Sequence, residues 1–246
     1  MTWRDWAEGA CDGIRAAGQW REPRDLDAAG PEGKLAPDGR PVVSFASNDY
    51  LGLTQHPAVV AAAHAALDRW GAGSGAARLV VGSRPVHSEL ESALAAWKRA
   101  ESAVLFPTGF AANLGVLTTL AGSGTLVCSD ELNHASIVDG CRMSKGAVAI
   151  FRHRDLDHLR SLLAGRDRRR ALVVTDTVFS MDGDTADVEG IAGLCRREGA
   201  LLVLDEAHAV LGPDPELDGV DAMRVGTLSK TLGSLGDEAA ASPSCS

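Results

Sequence analysis

At 246 residues, 45% hydrophobic and 23% charged, the chain has enough apolar material to bury a substantial core, which excludes a disordered or fibrous class. Its formal net charge of −9 disfavours nonspecific attraction to nucleic acid or to an anionic membrane. Five cysteines, at positions 11, 128, 141, 195 and 245, form no CxxC pair and no metal-ligand spacing, which suits a reducing compartment. The N-terminus lacks a signal-peptide core and no apolar run reaches about 18 residues, so the expectation is a cytoplasmic protein with no membrane, nucleic-acid or metal partner.

Trp3, Trp6, Ala10 and Ile14 recur at helical spacing and predict an amphipathic helix over 3–17. Pro23, Gly30, Pro31, Gly33, Pro37 and Gly39 make 18–40 an irregular connection that leads to a short edge strand near 42–45. Asn48, Asp49 and Tyr50 then stand before a helix beginning near Pro57, a place where polar side chains can line a site. The glycine-rich stretch 71–77 is a poor helix interior, and it lacks both the GxGxxG spacing and the preceding strand of a dinucleotide fold. Helical periodicity resumes in PVHSELESALAAWKRA, where Leu90, Leu94 and Trp97 share a face.

From there strand and helix alternate: strand 103–106, helix 110–120, strand 125–128, helix 132–143, strand 147–151, helix 155–164, strand 171–175, helix 187–198 and strand 201–204. This pitch predicts an α/β fold, a mostly parallel sheet with helices on both faces and with ligand groups beyond the carboxyl ends of its strands. The basic run from Arg166 to Arg170 reads as a solvated turn. Polar residues gather at the expected strand ends: Thr108-Gly109-Phe110, whose free amides can receive a phosphate; His134; Asp176 with Ser180 to Asp184; and Asp205 with His208. A further strand, 223–227, delivers Thr227, Ser229 and Lys230.

Asp205 and Lys230 on neighbouring strand ends suit a cofactor whose ring nitrogen needs an anion and whose aldehyde needs an amine. Read alone, LDEAH also fits the magnesium-binding strand of an ATP-driven helicase. That reading requires an upstream GxxxxGK[ST] loop, and the chain has none, since Gly33-Lys34 leads to Leu35.

SNDYLGL at 47–53, GAGSGAARLVVGSRPVHSELE at 71–91, FPTGFAAN at 106–113, SDELNHASIVDG at 129–140, VFSMDGD at 178–184, LDEAH at 204–208 and TLSKTLGS at 227–234 together resemble, in family order, the pyridoxal-phosphate-dependent α-oxoamine synthases. The resemblance implies a fold-type I pyridoxal-phosphate-dependent transferase. Lys230 would hold pyridoxal 5'-phosphate through its amine, Asp205 would pair with the pyridine nitrogen and His134 would stack on the ring. Ser180 and His208 would contact the region of the phenolic oxygen, Gly109, Phe110 and Thr227 would hold the phosphate, and Asn48 would meet the amino-acid carboxylate. The wording of SNDYLGL and GSGAARLVVGS points to the branch that condenses L-alanine with a pimeloyl thioester, the alternatives being another α-oxoamine synthase, such as one that acylates glycine, or an inactive fragment of such an enzyme; the resemblance also implies a homodimer for the complete enzyme.

Two departures accompany the resemblance. The loop AVLGPDPELDGVDAM is shorter than the family's glycine-rich one, and after Gly236 the apolar strand expected by resemblance is replaced by DEAAASPSCS, which shows no strand periodicity. The expected organisation is an N-terminal helix and connection over 1–45, a cofactor-binding large domain over 46–236 and a divergent tail over 237–246. The fold would be incomplete, lacking the small C-terminal domain, and acyl transfer would fall at least about 100-fold below that of a completed chain.

Overall fold

The computed structural model describes residues 1–167 and 170–241. Arg168 and Arg169 of the basic turn, and the last five residues of the tail with Cys245, lie outside the described residues. The chain forms two compact units, Met1–Ser47 and a larger one that begins at Asn48.

In the first unit, helix α1 (Trp3–Ala16) starts at a reciprocal cap: Asp5 N–H donates to Thr2 Oγ1 at 3.1 Å and Thr2 N–H to Asp5 Oδ2 at 2.6 Å. Its apolar stripe forms as expected, with Trp3 and Trp6 edge to face at 5.6 Å, but both indoles remain exposed. The segment expected to be irregular is instead an antiparallel meander of β1 (Leu26–Asp27), β2 (Glu32–Leu35) and β3 (Arg40–Val43). Strands of two and four residues are too short to show an alternation, and their pairing is set by a turn that ends at Gly39 with φ +67°.

The second unit opens with a short 3₁₀ turn at Leu53–Gln55 and helix α2 (Pro57–Trp70), followed by a π turn at Arg78–Gly82 and α3 (Pro85–Trp97). Then come β4 (Ser102–Phe106), α4 (Gly109–Leu120), β5 (Thr125–Asp130), α5 (Ala135–Met143), β6 (Ala147–Phe151), α6 (Leu156–Ala164), β7 (Arg170–Asp176), α7 (Val188–Glu198), β8 (Leu201–Asp205), β9 (Ala222–Thr227) and β10 (Asp237–Ala241). Apart from β10, every one of these elements was legible as apolar periodicity, within a few residues at its ends.

The seven-stranded sheet has the order β4-β10-β9-β8-β7-β5-β6. Pairing is parallel from β9 through β6, whereas β10 runs antiparallel to both β9 and β4. Successive side chains of a strand point to opposite faces, and the core follows that rule. On one face Ala171, Val173, Leu202 and Leu204 pack with Leu159 and Leu163 of α6 and Ile191 and Leu194 of α7. On the other, Leu172, Val174, Val203, Val225 and Ala239 pack with Ala112, Val116 and Leu117 of α4 and Ile137 and Cys141 of α5. Both faces of the sheet are therefore covered by helices.

The strand β10 corrects the expectation that the stretch after Gly236 carries no strand. The sequence DEAAA has no alternation of large apolar residues, so periodicity cannot reveal it. Open ladder groups on β4 and β9 supply the reason for pairing: all five residues are in register with both neighbours, from Asp237 opposite Thr227 and Phe106 to Ala241 opposite Met223 and Ser102.

Candidate active site

The alternation that builds the core also aims the site. Val203 faces α4, so Asp205 two residues later faces α4 as well, at the carboxyl end of β8. There its Oδ2 accepts a hydrogen bond from Asn113 Nδ2 at 2.7 Å and its Oδ1 one from Ala207 N–H at 2.9 Å, with 5% of the residue exposed. Asn113 also donates to Ser136 Oγ at 3.0 Å, while its own carbonyl oxygen is buried without a partner. By the same rule Thr227 shares this face with Val225 on β9, and Asp237 shares it with Ala239 on β10.

Lys230 follows β9 in a loop that is pressed against the 3₁₀ turn. A Cβ on Gly233 would lie 2.5 Å from Thr54 N, and φ there is +63°, so this close approach needs a glycine. The lysine is half-buried, and burial lowers its pKa, opposed by the carboxylates of Asp205, Asp237 and Asp176. Its Nζ lies 2.9 Å from His208 Nε2, and His208 Nδ1 lies 2.7 Å from Tyr50 Oη, which is 3.1 Å from Asn48 Oδ1. An amide oxygen can only accept, so the Tyr50 O–H points to Asn48. The Tyr50 oxygen then accepts from His208 Nδ1–H, which leaves Nε2 with a lone pair for the lysine. This directional chain fixes the histidine tautomer. His208 also has a lowered pKa, from burial first and from the Lys230 ammonium second, with Asp205 opposing.

His134 caps α5, its Nδ1 lying 2.7 Å from Ser136 Oγ, and its N–H donates to Asp176 Oδ2 at 2.7 Å. Asp176 pairs in register with Asp205 across β7 and β8. Burial, and next the Asp205 carboxylate, push Asp176 up to about 7, against the His134 N–H bond that lowers it. Thr108 caps α4, accepting from Ala111 N–H at 3.1 Å, so Gly109 and Phe110 head a twelve-residue helix. Thr227 Oγ1 is 2.7 Å from Ser229 Oγ. A cavity of about 750 Å³ opens beside Tyr50 and His208, lined also by Leu51, Leu211, Pro213 and Thr231 among others.

The structure thus gathers Asn48, His208 and Lys230 into one hydrogen-bonded chain through Tyr50, and a second one joins Asp205 to His134 through Asn113 and Ser136. Ser180 is exposed on the turn after Phe179 and makes no hydrogen bond to His208 or Lys230 among the described residues. Three participants escaped the sequence reading. Asn113 lies one turn beyond Gly109 on α4, and that spacing was a usable signal. Tyr50 was noted only as lining a site. Asp237 carried no signal, because nothing in the tail identified a strand. The described residues hold no cluster of histidine, cysteine and carboxylate groups suited to a metal ion, and no helix among them is long and apolar enough to cross a membrane.

The chain is similar to known proteins in sequence and in fold. The family Aminotransferase class I and II matches residues 40–241. The 8-amino-7-oxononanoate synthase of Methylobacterium sp. (strain 4-46) is 52% identical over 227 residues, which cover 86% of this chain and 59% of that protein. The enzyme of the same name from Anaeromyxobacter sp. (strain Fw109-5) is 48% identical over 243 residues, covering 94% and 60%. Among solved structures, a serine palmitoyltransferase from S. paucimobilis, solved with PLP and myriocin bound, superposes with a TM-score of 0.86 at 28% identity, covering 97% of this chain and 63% of that one. An 8-amino-7-oxononanoate synthase from Francisella tularensis gives 0.68 at 25% identity, covering 80% and 58%. The chain spans about 60% of the length of the curated relatives it matches.

Proposed function

Because the chain belongs to the aminotransferase class I and II family and has the fold-type I transferase fold, we propose that it carries the pyridoxal-phosphate site of an 8-amino-7-oxononanoate synthase. The reaction joins L-alanine to a pimeloyl thioester with loss of carbon dioxide, a step of biotin biosynthesis. One observation carries the reading: a buried carboxylate, Asp205, and a half-buried amine of lowered pKa, Lys230, stand beyond the ends of adjacent strands within electrostatic reach of each other. Identities of 45–52% to synthases of that name support the choice of substrates.

The donor set fits the cofactor at its ring and at its aldehyde. Asp205, held by Asn113, would pair with a protonated ring nitrogen, and Lys230 would supply the amine. His134 would stack on the ring, and Ser180 and His208 would stand by the phenolic oxygen. By resemblance Gly109, Phe110 and Thr227 would hold the phosphate, at the place where the Asp237 carboxylate stands in this chain. When bound, pyridoxal phosphate supplies an electron sink for negative charge at the amino-acid Cα.

The protein's own part is proton handling and placement. Burial keeps a larger fraction of Lys230 as the free amine, able to take a proton from Cα and return one. His208, its tautomer set by Tyr50, accepts a hydrogen bond from Lys230 and so aims it. Asn48, at the end of that chain, would meet the substrate carboxylate, and the apolar walls of the cavity at Leu51, Leu211 and Pro213 suit an acyl chain. A homodimer accords with the exposed apolar run Leu79-Val80-Val81.

A synthase that uses serine is the second reading, favoured by the superposition on serine palmitoyltransferases, yet those are only 28–31% identical. Two measurements test the proposal. Cofactor trapped with borohydride should appear by peptide mass on Lys230 and vanish in Lys230→Ala. Product analysis with alanine, glycine and serine should give the alanine-derived ketone. A serine product would move the assignment to the second reading, and absence of any adduct on Lys230 would overturn it.

A further inference from the structure

We propose that the carboxylate of Asp237 occupies the anion seat at the start of α4, so that this chain accepts the pyridoxal ring at Asp205 and Lys230 but rejects a phosphate until Asp237 is replaced. The inference rests on the cofactor reading above, and it concerns which form of the cofactor the chain selects.

Asp237 is 2% exposed. It lies opposite Thr227 of β9 and Phe106 of β4, at the sheet end where α4 begins. Its carboxylate faces Gly109 and Thr227, both of which act to lower its pKa, and these are two of the groups available to a phosphate there. A Cβ on Gly109 would lie 2.9 Å from Asp237 Oδ1, so the carboxylate fills the space in front of the first helical residue. A phosphate would need the same amide, the same hydroxyl and the same volume.

Charge opposes sharing. Lys230 faces Asp237 as a cation, and Asp205 faces it as a second anion. A phosphate would add further negative charge at contact range, where like charges repel strongly away from bulk water. Unphosphorylated pyridoxal instead carries a hydroxymethyl group at that corner, which can donate to the carboxylate. A register slip that moves Glu238 into the place of Asp237 does not clear the seat, since it turns Asp237 to the other face and leaves another acid before α4.

The test compares the full chain with Asp237→Gly and with Asp237→Asn, which removes the charge but keeps the bulk. Each is titrated with pyridoxal, with pyridoxal 5'-phosphate and with inorganic phosphate. Adducts are trapped on Lys230 and read by peptide mass; phosphate affinity is read by calorimetry. The parent should capture pyridoxal at least as well as its phosphate ester, and should show no phosphate binding. Asp237→Gly should shift the ratio toward the ester by about 100-fold and Asp237→Asn by about 10-fold, the order expected from removing a contact-range charge. A parent that prefers the ester, with a ratio unchanged in both variants, overturns the inference. If no adduct forms on Lys230 in any protein, the cofactor reading fails while the phosphate titration still decides this inference: binding gained only in the variants supports it, and no gain refutes it.

Discussion

Glu206 and Glu238 are both almost fully buried and both lie close to Lys98, yet their surroundings differ. Glu206, just past β8, takes Lys98 Nζ at 2.7 Å and Arg224 Nε at 2.8 Å, and Arg224 goes on to the Lys98 carbonyl and to Asp214 at 3.0 Å. Glu238, on β10, has no hydrogen-bond partner at either carboxylate oxygen among the described residues, and burial pushes it up to about 7. Backbone order is equal in the two places, since β10 is paired on both sides. The difference lies in the side chains: the parallel block surrounds its buried charges with partners from several elements, whereas β10 satisfies its ladder while its acids remain poorly accommodated. A strand can be dictated by its neighbours' open ladder groups even when its own side chains conflict with the core.

Breaking the satisfied side should cost the most. Glu206→Ala strands Lys98 and Arg224 without their shared anion, and a loss of about 3–5 kcal/mol is expected in urea unfolding. A loss below about 1 kcal/mol would show that the network is cosmetic. Relieving the other side should give the opposite sign: Glu238→Val, apolar and suited to a strand, should raise stability by about 3 kcal/mol at pH 8.

The pH dependence sharpens that contrast. An acid whose pKa is raised by folding leaves the fold unpenalised below its unfolded value, and the penalty grows as pH rises through the folded one. For Glu238 the window runs from 4.5 to about 7. The gain from Glu238→Val should therefore be near zero below pH 4.5, grow through pH 7 and level off above it. Asp237, raised to about 6, and Asp176, raised to about 7, impose the same sign on the parent over neighbouring windows. A gain that is flat with pH would show that packing, not charge, is relieved.

The smallest expected effect lies in the directional chain at the site. Tyr50→Phe removes the acceptor of His208 Nδ1–H and frees the tautomer, at a cost near that of one hydrogen bond, about 1 kcal/mol. Capture of pyridoxal by Lys230 should slow roughly five-fold, with the urea midpoint unmoved. A change below two-fold would mean that Lys230 is aimed without Tyr50.

The large elements were legible because each announces itself locally. Leu201 to Leu204 alternates between the two cores, Ile191 and Leu194 mark the buried face of α7, and repeated strand-helix units leave few topologies open. Placing Asp205 and Lys230 at strand ends followed from the same periods, and so did the helix starts at Gly109 and His134. Of the short meander, only its last strand was anticipated, near 42–45 against the observed 40–43, and β1 and β2 stayed hidden because two- and four-residue strands cannot display an alternation.

By itself, then, the sequence determined the parallel α/β scheme and the presence of an amine and a carboxylate at its ligand end, since both depend on local periodicity and strand boundaries. Tertiary structure alone decided which distant groups meet: Tyr50 with His208, Asn113 with Asp205, and Asp237 with Gly109. It also decided that DEAAA becomes a strand. Those outcomes depend on pairings across the sheet and on partners far apart in the chain, where open backbone groups and buried charge must be satisfied by whatever the fold brings near, and no local pattern records that demand.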